Sequence, residues 1–259
     1  MTMPQSLLGT IIALMLATSA NAQVAASSMH SATIVLVHGA LVDGSGWRGV
    51  YDVLTRDGYH VSIVQQPLTG LDDDVAATKR VLAWQDGPVV LVGHSYGGAI
   101  ISVAGSDPRV KALVYVAALQ PDIGESSAEA APPRPEASKD LRTTKDGFVV
   151  LDPAKFAADF GADLPKAQAA FMASSQVPVS GSVFSAKLTQ AAWHDKPSYA
   201  IIATQDHALD PERARWMAKR AGSKVTLIPA SHAVYISHPR AVARVIETAA
   251  HDVSFGRTP

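Results

Sequence analysis

Residues 93–97 read Gly-His-Ser-Tyr-Gly, which gives the residue types and spacing of a serine nucleophile. An apolar, β-branched run precedes this segment at residues 89–92, and a small-residue run that favours a helix follows at residues 98–104. Strand, sharp turn and helix in this order are the context of the G-x-S-x-G nucleophile elbow, where glycines permit a tight turn around a strained serine. The alternative is an ordinary glycine-rich turn in which Ser95 only caps the helix. The flanking elements favour the first interpretation, so Ser95 is predicted to be a nucleophile.

A serine hydroxyl is a weak nucleophile at neutral pH, so this prediction requires a base and an acid that orients the base. His232 is the best candidate for the base, because it follows the last predicted strand through a short loop. Asp206 is the candidate acid, because it follows the preceding predicted strand. Reactive groups of parallel α/β sheets gather at the carboxyl ends of the strands. Two rival acids stay open: Asp210, which resembles a helix N-cap, and Asp122, which follows an earlier strand.

The same chemistry needs hydrogen-bond donors for an oxygen that becomes negatively charged. In the elbow context, one backbone N–H comes from the residue after the nucleophile and another from the loop after the first strand. These residues are Tyr96 and Ala40. His38 and His94 are predicted to hold neighbouring loops rather than to take part in the reaction.

The elements that must position these residues alternate along the chain. Continuous Val, Ile and Leu runs indicate strands that are covered on both faces, and helical segments separate them. This pattern predicts an α/β fold with a doubly wound, mainly parallel six-stranded sheet. The predicted strands cover residues 33–37, 60–65, 89–92, 112–116, 198–203 and 224–228. The predicted helices cover residues 47–57, 72–85, the stretch from the elbow to about 107, 211–221 and 239–251.

Residues 121–196 interrupt this alternation and contain no strand of the core pattern. We interpret them as a cap or lid insertion with helices around residues 154–160 and 165–174, while residues 31–120 and 197–255 form the core. Apolar side chains of the cap either line a substrate pocket or form the cap's own core. These candidates are Phe156, Phe160, Phe171, Met172, Phe184, Leu188 and Trp193, and the predicted substrate contacts among them are Phe171, Met172, Phe184 and Trp193.

Composition excludes several classes of function. The formal net charge is -1 with both signs interspersed, which argues against a nucleic-acid partner. The chain has no cysteine, which excludes disulfides, thiolate metal sites and a cysteine nucleophile. Hydrophobic residues make up 47% of the chain, enough for a sizeable core. No metal or organic cofactor is implied.

The N-terminus resembles a signal peptide. Residues 7–17 form an apolar run of the right length, and residues 20–22 read Ala-Asn-Ala, an A-x-A cleavage site. Residues 1–6 depart from the pattern because they carry no Lys or Arg. The run is shorter than the roughly 20 residues of a membrane span, and the alternative is a retained helix or anchor. We expect residues 1–22 to be removed on export to the periplasm or the medium, with no membrane association afterwards.

Four segments taken together resemble the α/β-hydrolase superfamily. They are Val-Leu-Val-His-Gly-Ala at residues 35–40, Gly-His-Ser-Tyr-Gly-Gly at 93–98, Thr-Gln-Asp at 204–206 and Ser-His at 231–232. The compact core is similar to the branch of plant methylesterases, hydroxynitrile lyases and their bacterial esterase relatives, over residues 33 to about 253 without most of the cap. The resemblance implies that Ser95 is the nucleophile and that Asp206 and His232 are its catalytic partners. It also implies that the backbone amides of Ala40 and Tyr96 are the oxyanion donors.

The departures from the family narrow the expected reaction. The lyases place a threonine where Gly39 stands and a lysine where Ala233 stands, which argues against lyase activity. Haloalkane dehalogenases of the superfamily carry an aspartate at the position of Ser95, so the serine excludes that reaction. The expected function is hydrolysis of a small, largely apolar carboxylic ester or lactone through an acyl-enzyme. Three alternatives stay open: a lyase or other carbon–carbon-cleaving member, a cofactor-free perhydrolase, and a ligand-binding receptor with little turnover.

Overall fold

Runs of valine, isoleucine and leucine form the central sheet in the computed structural model, which describes residues 32–132, 139–254 and 256. In chain order the strands are β1 (Thr33–Val37), β2 (Val61–Val64), β3 (Val89–His94), β4 (Val110–Val116), β5 (Leu141–Thr143), β6 (Phe148–Leu151), β7 (Val179–Ser180), β8 (Ser198–Ala203) and β9 (Lys224–Ile228). Six of them form one sheet in the order β2-β1-β3-β4-β8-β9, with parallel neighbours throughout. The predicted fold class is confirmed. The predicted signal peptide at residues 1–22 lies outside the described residues and stays a prediction.

Helices cover both faces of this sheet. They are α1 (Arg48–Arg56), α2 (Leu71–Ala83), α3 (Gly97–Ala104), α4 (Ser127–Ala130), α5 (Phe156–Asp159), α6 (Lys166–Ser174), α7 (Ser182–Ser185), α8 (Pro211–Arg220), α9 (Val234–Ser237) and α10 (Pro239–Ser254). Leu82 of α2, Ile100 of α3 and Met217 of α8 belong to one buried cluster, and Leu54 of α1 and Ile246 of α10 belong to another. Alternate residues of β1 and β3 enter the two clusters, as expected for strands buried on both faces.

The region interpreted as a cap contains a small second sheet that the sequence analysis did not predict. β5, β6 and β7 pair antiparallel, and α4 to α7 lie in the same region. The predicted helices around 154–160 and 165–174 correspond to α5 and α6. Residues 144–147 connect β5 to β6, and Gly147 adopts a φ of 86° that favours glycine. Strands of two to four residues are too short to give a periodic signal, but the Asp-Gly pair was a usable hairpin signal.

Among the described residues, no helix has both the length and the apolar character needed to cross a bilayer.

Candidate active site

The loop between β3 and α3 holds Ser95 in a strained backbone conformation. Its φ is 53°, in the left-handed region that residues with a Cβ rarely adopt. The backbone of Ser95 donates to the carbonyl of Val116 and accepts from the amides of Gly98 and Leu119, so the strand edge and the helix both hold the turn. A Cβ at Gly93 would lie 2.5 Å from the carbonyl oxygen of Gly97, so only glycine fits that position. These features are those of the predicted elbow.

The side chains of Ser95, His232 and Asp206 follow the ends of three different strands and are linked by two hydrogen bonds. The Oγ of Ser95 lies 2.8 Å from Nε2 of His232, and Nδ1 of His232 lies 2.7 Å from Oδ2 of Asp206. His232 and Asp206 are buried, whereas Ser95 is partly exposed. With Nδ1–H donating to the carboxylate, Nε2 is left free to accept the serine proton. An arrangement of this kind can act as a nucleophile, a base and an orienting acid.

Asp206 is fixed on its far side by the backbone of the following loop. Its Oδ1 accepts hydrogen bonds from the amides of Ala208 and Leu209, each at 2.8 Å. The rival Asp210 instead caps α8, where its Oδ1 accepts from the amide of Glu212 at 3.0 Å. The rival Asp122 contacts Nε2 of His194 at 2.7 Å. Of the three aspartates considered, Asp206 is the one that contacts His232.

His38 and His94 lie behind the site and hold its loops. Nε2–H of His94 donates to the carbonyl of His232 at 3.0 Å, and the two imidazole rings lie 4.8 Å apart. Nδ1–H of His38 donates to the carbonyl of Gly39 at 2.9 Å, while the side chain of Gln66 donates to the carbonyl of His38. Burial lowers the pKa of His38 to about 4 and holds the pKa of His94 well below its usual value. Both rings are therefore neutral in the fold.

Acid is expected to destabilise the fold through these two histidines. In the unfolded chain both rings bind protons near pH 6.5, so the unfolded state holds more protons and the free energy of unfolding falls as pH drops from about 6.5 toward 4. His38 alone accounts for about 3 kcal/mol by pH 4. Burial raises the pKa of Asp74 to about 6, which offsets one histidine over part of this range.

Urea unfolding between pH 7.5 and 4.5 measures this slope. The variant His38→Gln should flatten it, whereas the same change at the exposed His60 should not. Equal slopes for the wild type and both variants would contradict the prediction.

The loop after β1 lies directly against the elbow. A Cβ at Gly39 would lie 2.8 Å from the Cβ of Ser95, so the backbone of this loop approaches the serine as closely as glycine allows. Ala40, next in this loop, lines the same cavity as Ser95. Within the described part of the chain, the amides of Ala40 and Tyr96 donate to no other residue. Both predicted oxyanion donors are thus available for a ligand.

The side chain of Tyr96 is anchored by a buried carboxyl that the sequence analysis did not single out. The hydroxyl of Tyr96 donates to Oδ2 of Asp74 at 2.9 Å, and the amide of Leu68 donates to Oδ1 at 2.8 Å. Asp74 lies in the acidic first turn of α2. The available signal was its spacing from Leu71 and Thr78, which places it on the buried face of the helix.

Close packing behind the elbow predicts a strong effect at Gly98. A Cβ there would lie 2.0 Å from the carbonyl oxygen of Leu119, whose own amide bonds to Ser95. We expect Gly98→Ala to lower the free energy of unfolding by about 3 kcal/mol, at the upper end of typical overpacking costs. Urea denaturation measures this, with Gly181→Ala as the control because its nearest contact would be 3.4 Å away. Equal stability of the two variants would contradict the close approach.

A cavity of about 280 Å³ opens at Ser95 and His232. Its wall is mostly apolar and combines core loops with the region interpreted as a cap. The lining residues are Ala40, Leu41, Ser95, Leu119, Ser127, Ala128, Ala131, Pro132, Leu141, Leu151, Asp159, Phe160, Phe184, Ala208, Leu209 and His232. Few polar groups in an apolar wall are typical of a site for a small organic ligand.

The predicted substrate contacts are only partly brought together here. Phe184 lines the cavity, with its ring 6.1 Å from that of Tyr96. Phe171 and Met172 line a separate pocket beside Tyr235, and Phe171 is 68% exposed. Trp193 is buried elsewhere, where its Nε1–H donates to the carbonyl of Pro121. Phe171, Met172 and Trp193 therefore do not line the cavity at Ser95. The first two lie on a face of α6 that points away from this cavity, and Trp193 packs against the core.

Phe160 was a candidate pocket residue, and it lines the cavity against the ring of His232. Its ring lies edge-on to His232 at 4.9 Å, and its carbonyl accepts from the amide of Ala233 at 3.0 Å.

Across residues 32–132, 139–254 and 256, no three His, Asp or Glu side chains are grouped as metal ligands would be.

Comparison with known proteins identifies the family of this chain. A model described as the alpha/beta hydrolase family matches residues 34–245. The chain belongs to the α/β-hydrolase family. It is 28% identical to the alpha/beta hydrolase nvfD of Aspergillus novofumigatus over 84% of this chain and 96% of that one. It is 27% identical to the pyrethroid hydrolase of Sphingobium wenxiniae over 82% of this chain and 85% of that one.

Solved structures show the same fold as this hydrolase-family chain. A methylesterase from Arabidopsis superposes with a TM-score of 0.72 at 17% identity, covering 85% of this chain and 98% of that one. The resemblance predicted from the four sequence segments is confirmed.

Proposed function

We propose that this chain is a serine hydrolase that cleaves a small, largely apolar carboxylic ester or lactone through an acyl-enzyme on Ser95. The observation that carries the proposal is the hydrogen-bonded chain from Ser95 through His232 to Asp206 at the floor of an apolar cavity. Relatives and structural neighbours named as a pyrethroid hydrolase and a methylesterase support the reaction class.

The reaction begins when Oγ of Ser95 attacks the ester carbonyl carbon. Nε2 of His232 takes the hydroxyl proton, and the carboxylate of Asp206 stabilises the resulting imidazolium. The carbonyl oxygen becomes negatively charged in the tetrahedral intermediate. The free amides of Ala40 and Tyr96 supply its hydrogen bonds, each worth about 3 kcal/mol of transition-state stabilisation.

Collapse of this intermediate breaks the bond to the alkoxy group. His232 returns its proton to the leaving oxygen, so the alcohol departs neutral and the acyl group stays on Ser95. A water molecule then attacks the acyl carbon, with His232 again taking the proton. The acid product leaves and Ser95 regains its hydroxyl. For a lactone, the freed hydroxyl group remains part of the acyl chain throughout, and the single product is a hydroxy acid.

A p-nitrophenyl ester series with acyl chains of two to ten carbons tests the proposal. We expect turnover with a preference for short to medium chains, because the cavity is only about 280 Å³. Mass spectrometry of a reaction stopped early should find the acyl group on the peptide that contains Ser95. An acyl group on another residue, or turnover that does not depend on Ser95, would contradict the mechanism. Tight binding of esters without turnover would instead favour the receptor alternative.

A further inference from the structure

The region interpreted as a cap is hydrogen-bonded to the loop that carries the base. Asp163 lies in the connection between α5 and α6, and its carboxyl contacts Ser231, the residue before His232. Oγ of Ser231 donates to Oδ1 of Asp163, and the backbone amide of Ser231 donates to Oδ2 at 3.2 Å. Both oxygens of this carboxyl therefore hold one residue of the base loop.

The same carboxyl also holds the chain on the other side of His232. The side chain of Ser237, the last residue of α9, hydrogen-bonds to Asp163. Partial burial opposes ionisation of Asp163, but the hydrogen bonds from Ser231 and Ser237 outweigh it and hold its pKa below the ordinary value. A carboxylate is a stronger acceptor than a neutral group. One charged acceptor thus fixes both ends of the short segment that contains the base.

Two further hydrogen bonds join the neighbouring residues of this connection to the site. The amide of Ala233 donates to the carbonyl of Phe160 at 3.0 Å. Nδ1–H of His207 donates to the carbonyl of Ala158 at 3.0 Å. Ala233 directly follows the base, and His207 directly follows the orienting acid. Residues 158–163 therefore bond to both loops, and of these contacts only those of Asp163 use a charged acceptor.

Proton transfer depends on the position of this loop, because Nε2 of His232 must stay within hydrogen-bond distance of Oγ of Ser95. A small displacement of a reacting group costs much of the rate. We propose that Asp163 is a positioning residue, which acts through Ser231 to hold His232 where it accepts the serine proton. This inference rests on the proposed function, because it concerns the base of the same reaction.

Steady-state kinetics of Asp163→Ala and Asp163→Asn on the preferred p-nitrophenyl ester test the inference. Alanine removes both acceptors, so kcat should fall about 10- to 100-fold. KM should change little, because Asp163 is not among the residues that line the cavity. Asparagine keeps one acceptor for Oγ of Ser231 but turns its NH₂ group toward the amide, so its loss should be smaller. Asp146→Asn, in the hairpin between β5 and β6, is the matched control and should keep the wild-type kcat.

Ser231→Ala tests whether Asp163 acts through the base loop. It removes the hydroxyl that donates to Oδ1 of Asp163, so it should lower kcat by itself. The double variant of Asp163→Ala and Ser231→Ala should then lose less than the product of the two separate losses, as for residues that share one interaction. Two independent losses would mean that Asp163 does not act through Ser231. Urea unfolding checks that each variant folds, and the isosteric Asp163→Asn supplies the same comparison if alanine prevents folding.

A measurement without turnover separates this inference from the proposed function. NMR of the protein without substrate follows the Nδ1 proton of His232, which lies in the hydrogen bond to Asp206. A loosened loop should expose this proton, so its exchange with water should be about 10-fold faster in Asp163→Ala and unchanged in Asp146→Asn. Wild-type kcat in both Asp163 variants, an effect confined to KM, or an unchanged exchange rate overturns the proposal. If the wild type cleaves no ester, the proposed function fails and the exchange rate alone decides this inference.

Discussion

Replacing Ser95 with alanine should lower kcat for ester hydrolysis by about 10⁴- to 10⁶-fold. The change deletes the atom that attacks the substrate in the proposed mechanism, since Oγ of Ser95 is the group that Nε2 of His232 contacts. The amides of Ala40 and Tyr96 and the cavity are untouched, so a small rate above the uncatalysed reaction should remain from oxyanion stabilisation and binding. KM should change little, because the hydroxyl adds little to ground-state binding.

Steady-state kinetics on the preferred p-nitrophenyl ester measure this loss. Ser106→Ala is a suitable control, because Ser106 is an exposed serine beyond the C-terminal end of α3 whose hydroxyl donates to the carbonyl of Val103. Circular dichroism and urea unfolding should show that both variants fold, since alanine keeps the Cβ that the turn already accommodates. If Ser95→Ala retained activity near that of the wild type, Ser95 would not be the nucleophile.

The core, and the positions of the candidate site residues at its edge, could be predicted from the sequence because the signals are local. β1, β8 and β9 have the predicted bounds, since each is a continuous apolar or β-branched run between clear breaks. Short loops then carry Asp206 and His232 from the ends of β8 and β9. In a parallel sheet all such loops emerge at one edge, so the approximate positions of these residues followed from strand order alone.

Element ends were less well predicted. β4 begins at Val110 rather than Ala112, because the charged Lys111 interrupts the apolar run but points to solvent in the folded strand. β3 continues through His94, which was predicted to lie in the elbow turn but whose ring is fully buried among aromatic neighbours. In both cases tertiary contacts decide where the strand ends, and these are not visible in the local pattern.

The cavity wall was the least predictable part. α6 is rich in alanine, so its sequence does not distinguish the face that carries Phe171 from the face that packs inward. Lining residues such as Leu119 and Leu209 come from core loops, whose apolar side chains carry no periodicity. The surroundings of the buried carboxyl of Asp74 and of the partly buried carboxyl of Asp159 come from distant segments, so only the assembled fold shows what they contact.

The second large effect is expected for Asp206→Asn, and the hydrogen bonds around this residue explain why. Oδ1 of Asp206 accepts from the amides of Ala208 and Leu209, so the carbonyl oxygen of an asparagine must occupy that position. Its NH₂ group then faces Nδ1 of His232 and must donate to it. His232 is forced into the tautomer with hydrogen on Nε2, which cannot accept the proton of Ser95.

We therefore expect Asp206→Asn to lower kcat by about 10⁴-fold while the fold and KM change little. Asp210→Asn is the matched control, because asparagine is as good an N-cap as aspartate and Asp210 contacts α8 rather than His232. Asp122→Asn tests the other rival acid in the same assay. NMR of the imidazole nitrogens would report the tautomer directly, with the proton moving from Nδ1 to Nε2 of His232 in Asp206→Asn alone. A large loss at Asp210 or Asp122 with little change at Asp206 would assign the orienting acid elsewhere.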